Sequence, residues 1–307
     1  MYHRFNENKY PSTNIRMNIF KEQIKIIRNL NYTFSDPKYF VTRFNEPKNE
    51  KEILITIDDG FKSFYTEAWP YLKKNKIPFI LFISTEPVGK NGYMTWDEIK
   101  EIEESDFAII GHHSHTHEYL IDMSNSDFIE DIETSTKIFK DKFGYVPEIF
   151  SYPFGEYSLS MKKYISKNFK IAFGQHSGII DVNKDKFELP RFPINEKYGD
   201  LKRFKSIINY NPLEYKYLRP EEKKLNFKNN PPKITIEFFQ DQKNIEDIIC
   251  YSNDGGEWNK PNLKLEKKTL TINFEKKFLP RRGRINCSLN DNGEWRWFGT
   301  QFTVQKN

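Results

Sequence analysis

Cysteine is nearly missing from this chain: 307 residues carry two, Cys250 and Cys287, both late in the sequence. Two cysteines cannot make the disulfide framework of a small secreted scaffold, so stability must come from a packed core. Cys250 follows Ile248 by two and Cys287 lies between Ile285 and Leu289 at the same spacing, so both should point inward. In a reducing compartment they are expected as buried free thiols rather than a disulfide. Long apolar runs are missing too. No stretch reaches the roughly eighteen apolar residues of a helical membrane span. Met1-Tyr2-His3-Arg4-Phe5 contains no basic segment leading into an apolar one, so no secretory signal is legible. The expected location is therefore cytoplasmic, although an exported chain shorn of its leader would begin the same way. An excess of one charge is also lacking: 48 basic against 43 acidic residues leave +5, with no dense Lys/Arg block. That argues against nucleic acid as the partner. Histidine is scarce at six residues, yet four of them fall within residues 112–117.

What is present is a large core's worth of apolar residues, 37% of the chain, with 16% aromatic. Residues 1 to about 215 alternate short apolar runs with amphipathic stretches, the pattern of β/α units around a parallel sheet. Strands are expected at 53–57, 77–83, 107–110, 149–152, 171–173 and 189–194, and helices over 64–75 and 126–143. Thr95 and Glu98 are spaced as a capping box that opens a further helix. Past Tyr210 the texture changes to Asn211-Pro212, Arg219-Pro220 and Asn229-Asn230-Pro231-Pro232, which reads as a linker centred on 221–232 after a first domain of 1–220. Beyond it, Ile234, Ile236 and Phe238, then Leu270, Ile272 and Phe274, alternate around Asp254-Gly255-Gly256 and Asp291-Asn292-Gly293 turns. Residues 233–307 are expected as a small antiparallel β-sandwich.

Two polar clusters end apolar strands: Thr56-Ile57-Asp58-Asp59-Gly60, and His112-His113-Ser114-His115-Thr116-His117. Consecutive carboxylates project in different directions, so one can bind a metal while its neighbour faces a water. His113 and His117 are four apart, which suits a three-ligand site completed by one carboxylate, whereas His112 and His115 point away from that pair. Together the clusters imply metal-assisted hydrolysis of an amide or ester.

The first cluster resembles the Thr-Phe-Asp-Asp-Gly motif of polysaccharide deacetylases of the NodB-homology type, carbohydrate esterase family 4. The second is similar to that family's His-Ser/Thr-x-x-His. Ser151-Tyr152-Pro153-Phe154-Gly155 resembles its third motif, Arg-x-Pro-Tyr/Phe-Gly. The likeness covers roughly residues 1 to 210 and implies an α/β fold, a distorted (β/α) barrel of the NodB-homology type, followed by the β-sandwich. It further implies Asp58 as catalytic base, Asp59, His113 and His117 as ligands of a divalent metal, and removal of N-acetyl groups from an amino-sugar glycan. Zinc is the expected ion, with nickel, cobalt or iron as alternatives. Tyr152, Pro153, Phe154 and Gly155 would line the substrate groove.

Ser151 stands where the family has Arg. That variation is familiar from the branch resembling poly-β-1,6-N-acetylglucosamine deacetylases, whose motifs are circularly permuted with a general-acid histidine near the N-terminus. Met1-Tyr2-His3-Arg4 matches that arrangement, making His3 a candidate acid. His176, in a Gly-flanked loop after a strand, is the competing candidate. Arg191, on an apolar strand where a charge needs a partner, is grouped with the substrate-binding residues and could supply the charge missing at Ser151, or serve a structural ion pair. Trp96, and the tail residues Trp258, Trp295, Trp297 and Phe298, are either sugar-stacking or core aromatics. Rival readings are a deacetylase or deformylase of a lipid- or nucleotide-linked sugar, a glycan-binding protein on an inactive scaffold, and a structural metal clip.

Overall fold

A computed structural model describes residues 1–46 and 51–305. Its centre is a five-stranded parallel sheet in the order Thr56–Ile57, Phe79–Ile83, Ala108–His112, Ile149–Ser151, Ile171–Phe173. Each strand is short and apolar on both sides, as a sheet with covered faces requires. Phe79, Leu81 and Ile83 belong to the core under the outer helices, whereas Ile80 and Phe82 join Phe173 and Leu189 in a second cluster. Alternation along the strand makes this division.

The sheet curls and its edges meet. On one edge Tyr2 bridges Ile57, its N–H donating to Thr56 O at 2.9 Å and its carbonyl accepting from Asp58 N–H at 2.9 Å. On the other, Phe173 bridges Leu189. The 189–194 segment then returns to the first edge, with Ile194 N–H donating to Met1 O at 3.0 Å. Residues 189–194 thus close the ring, although Leu189 alone forms a ladder bridge. The expected helices form as Phe64–Ala68 running into Trp69–Asn75, as Asn125–Phe143, and as Trp96–Glu103 with both halves of the Thr95/Glu98 capping box in place. No helix among the described residues is long and apolar enough to cross a membrane.

The C-terminal part is a sandwich of two sheets. One orders Tyr217–Arg219, Ile234–Glu237, Thr269–Asn273, Asn262–Glu266, and the other is built around the long hairpin Arg282–Asp291 and Glu294–Val304. The expected linker is corrected here. Lys224–Leu225 and Asn211–Pro212 pair in parallel with Glu294–Val304, and Tyr217–Arg219 pairs with Ile234–Glu237. The sandwich therefore begins at 211, because its open strand edges recruit the proline-containing segments. The cysteines are a second correction. Cys250 and Cys287 sit directly opposite in the ladder, Cα atoms 4.0 Å apart, and are joined as a disulfide. Their inward direction was legible, but the register that brings them together was not.

Candidate metal centre and its surroundings

All the chemistry-bearing loops leave the C-terminal ends of the parallel strands. Asp58 and Asp59 follow Thr56–Ile57, and the 113–117 loop follows Ala108–His112. The histidine loop is tied down by a residue that no sequence motif flagged. Asp131, buried on the Asn125–Phe143 helix, accepts from the backbone N–H of His115 at 2.8 Å and of Thr116 at 3.0 Å, and from Thr116 Oγ1 at 2.7 Å. Ser135 Oγ, one turn on, donates to Ser114 O at 3.0 Å. Two carboxylate oxygens satisfying three donors fix a loop whose backbone would otherwise stay unpaired.

Ligand atoms of Asp59, His113 and His117 lie within 4.8 Å of one another. Asp59 Oδ1 is 3.2 Å from His113 Nε2 and 3.0 Å from His117 Nε2. His113 Nδ1–H donates to Ser151 O at 2.6 Å. A carbonyl can only accept, so this bond sets the tautomer and leaves Nε2 with a lone pair. Nε2 of His113 and Oδ1 of Asp59 are both buried and complete no hydrogen bond. Two electron-rich buried atoms facing each other call for a cation between them, so the residues present fit a divalent metal. Burial pushes the Asp59 carboxyl up, but the charge that His117 carries when protonated outweighs it and holds it well below the usual range.

Asp58 faces the other way. It is fully buried and receives a bidentate bond from Arg191, Nη1 to Oδ1 at 2.7 Å and Nη2 to Oδ2 at 2.8 Å. The rest of the guanidinium is spent on the scaffold: Nε donates to Gly174 O at 2.9 Å, Nη1 to Thr56 Oγ1 at 3.1 Å and Nη2 to Ser151 Oγ at 2.8 Å. The planar fork also lies between Phe82 and Phe173, 5.4 and 5.5 Å from their ring centres. Burial would raise the Asp58 pKa, yet the Arg191 charge outweighs it and keeps the carboxyl ionised. Arg191 is therefore tied to Asp58 and the scaffold, and is too deeply buried to present a free donor at the surface. It reaches the hydroxyl of Ser151, the position where the family motif carries its own arginine.

Of the two candidate acids, His3 is the one in the field of the two carboxylates. Tyr2, hydrogen-bonded beside Ile57, brings the half-buried His3 into the field of Asp59 and Asp58, and those carboxylates partly oppose the lowering of its pKa by burial. His176 lies elsewhere, in a small cavity of about 60 Å³ with Glu188 and Lys223 between barrel and sandwich, its pKa lowered to about 4 by burial. The reason is alternation. At the loop after Ile171–Phe173 the backbone of Gln175 faces the third motif, 2.4 Å from where a Cβ of Gly155 would be, and His176 turns the other way.

Tyr152 is also reassigned: its ring is wholly buried against Phe150 and Tyr157 and cannot line a groove. Pro153 and Gly155 are buried in the turn, and Phe154 alone of the motif presents a side chain to the site, its ring 4.8 Å from that of His117. His112 sits in the core among Phe139, Phe150 and Phe169, its pKa lowered by burial to about 3, and His115 bonds Thr85, as their direction implied. Trp96 packs on Phe139 and Phe143. Trp297 stacks on Tyr210 at 5.5 Å and donates to Ser177 O at 3.2 Å, which makes it an interdomain residue, and Phe298 is buried. Trp258 and Trp295 remain exposed. Ten non-glycine residues among those described have positive φ, and four of them, Asp59, Ser114, His117 and Phe154, are at this centre. Such strain persists only where surrounding structure imposes it, and it concentrates at functional sites.

The curled parallel barrel, with an Asp/His/His cluster and a second carboxylate at the C-terminal ends of its strands, has the fold of the NodB-homology type. Residues 45–170 match the model of the polysaccharide deacetylase family. Among curated relatives, it is 27% identical over 192 residues to the poly-beta-1,6-N-acetyl-D-glucosamine N-deacetylase of Staphylococcus aureus, covering 58% of this chain and 66% of the relative. It is 28% identical over 163 residues to YxkH of Bacillus subtilis, covering 52% of this chain and 56% of the relative. The chain thus spans less than two thirds of these relatives. Among solved structures, IcaB from Ammonifex degensii superposes with a TM-score of 0.59 at 24% identity, covering 67% of this chain and 94% of that one. The de-N-acetylase from Aggregatibacter actinomycetemcomitans gives 0.60 at 17% identity, covering 67% and 97%. At these identities the structures speak for the fold.

Proposed function

We propose that this protein is a metal-dependent carbohydrate N-deacetylase acting on an N-acetylated amino-sugar glycan, with zinc as its ion. The observation that carries the reading is the convergence of Asp59, His113 and His117 with a separately ionised Asp58 alongside. A divalent cation held by those three residues would polarise the amide carbonyl and make a water acidic enough to lose its proton near neutral pH. Asp58 is the group to take that proton, because Arg191 keeps it deprotonated at the pH of the reaction and locks its orientation. His3 is the group to protonate the departing amine: no side-chain hydrogen bond ties it down among the described residues, and it lies within electrostatic reach of the two carboxylates. The glycan class follows the name of the staphylococcal relative. The Cys250–Cys287 bridge favours an oxidising compartment over the cytoplasmic location expected from the sequence.

The test is release of free amine from β-1,6-linked N-acetylglucosamine oligomers by the zinc-loaded chain. Asp58→Asn should lower kcat by about 10² or more. A zinc-bound, folded protein that releases no amine, or an Asp58→Asn variant as active as the parent, refutes the reading.

A further inference from the structure

The sandwich touches the metal centre through a column of stacked groups. The His117 ring lies 4.8 Å from Phe154 at 65°. Phe154 stacks on Tyr119 with ring centres 4.2 Å apart and 27° between planes. Arg281, from the edge of the sandwich, places its guanidinium carbon 3.8 Å above the Tyr119 ring. A ring at 4.2 Å and a guanidinium at 3.8 Å cannot share one face, so Tyr119 is held between Phe154 and Arg281.

The far end of the column is anchored. Glu156, 2% exposed, accepts from Arg281 Nε at 2.8 Å and from Arg282 Nε at 2.7 Å, and Arg281 Nη1 reaches Asp122 at 2.5 Å. Gln301, also from the sandwich, donates to the carbonyls of Phe154 and Gly155, each at 3.3 Å. The near end needs such support. His113 is oriented by its bond to Ser151 O on a neighbouring strand, whereas beyond Asp59 the His117 ring bonds only to its own backbone, so no other element holds it by a hydrogen bond among the described residues. Metal-binding histidines ordinarily have such an outer partner. His117 is also in a positive-φ conformation at the end of its loop, so its contact with the Phe154 ring supplies the support from outside the loop that Ser151 gives His113.

We propose that the C-terminal sandwich braces the metal centre, with Arg281 and Tyr119 as positioning residues that hold His117 in its ligating orientation through Phe154. The accessory domain is then a structural part of the metal site, apart from any hold it has on glycan. The inference rests on the metal-site reading above and deepens it.

The test uses the full chain with Zn²⁺ and Co²⁺ alone, and no substrate. Tyr119→Ala and Arg281→Ala, checked as folded by near-UV circular dichroism, should bind Zn²⁺ about tenfold more weakly in chelator competition. They should also alter the visible absorption of the Co²⁺-loaded protein, which reports ligand geometry. Tyr119→Phe keeps the stacked ring and should match wild type in both. Folded Ala variants with wild-type Zn²⁺ affinity and an unchanged Co²⁺ spectrum overturn the bracing and leave the metal site standing. A wild-type chain that binds neither ion overturns the site and the bracing with it.

Discussion

Replacing Arg191 by Met removes the charge that faces Asp58 while filling most of the same volume. Asp58 is fully buried and Arg191 is 5% exposed, so water cannot screen the loss. Removing one partner of a buried pair costs about 3–5 kcal/mol, because the other charge is left uncompensated. The cost depends on pH, and its sign reverses the wild-type behaviour. In the native protein Arg191 holds the Asp58 pKa below its ordinary value despite burial. The pair therefore adds stability above the unfolded carboxyl pKa of about 3.9, and that stability is lost as pH falls towards the folded value. In Arg191→Met the largest opposing charge is gone, only His113 and His3 still oppose burial, and the folded pKa should rise above the unfolded one. The variant then carries its full penalty at pH 7 and recovers stability relative to wild type as acidification protonates Asp58. Urea denaturation at pH 5 and pH 7 reads both quantities. Asp58→Asn/Arg191→Met, which leaves no unpaired charge, should regain part of the loss. An Arg191→Met variant within about 1 kcal/mol of wild type at pH 7 would refute the account, since it would mean that Asp58 is not paying a burial cost.

Four further outcomes are expected. His3→Ala should lower kcat on acetylated oligomers by about 10² to 10⁴ while leaving Zn²⁺ affinity unchanged, whereas His176→Ala should leave kcat alone; pre-steady-state amine release compares them. His112 has a folded pKa of about 3 against roughly 6.5 unfolded, so it adds stability above pH 6.5 that is lost on acidification, up to about 4 kcal/mol by pH 3; His112→Phe should flatten the acid limb of the stability curve. Cys250→Ser/Cys287→Ser opens a link across 37 residues and should cost about 2–4 kcal/mol in denaturant unfolding. Gly155→Ala should cost more than about 1 kcal/mol, since its φ is +67° and a Cβ would meet the Gln175 backbone.

The residues of the candidate metal centre are legible in the sequence because their chemistry sits in contiguous motifs: a carboxylate pair and a histidine pair at strand ends keep their meaning wherever the fold puts them. The outer support was not. Asp131 and Arg281 lie 16 and 159 positions from the groups they hold, His115 N and Asp122, and nothing in their neighbourhoods marks them. Arg191 reads in the sequence as a charge on an apolar strand, but its partner follows from ring closure, which places the 189–194 segment next to the strand that ends at Asp58. Tyr152 and His176 show the opposite error. Both stand in motif-like surroundings, and alternation along a short strand or loop turns each away from the site. The cysteines were read from compartment rather than register, and a cross-strand register is a tertiary fact.

The left-handed backbone at Asp59, Ser114, His117 and Phe154 bears on how this chain would respond to selection. At each position glycine would relax the main chain, since only glycine adopts such φ values without cost. Mutational drift screened for folding alone would therefore favour deleting these side chains, and they persist only under selection for what they do. A library of this protein sorted purely for heat resistance should shed its function at these four positions before its core changes, whereas a sort that alternates heat with metal retention should hold them.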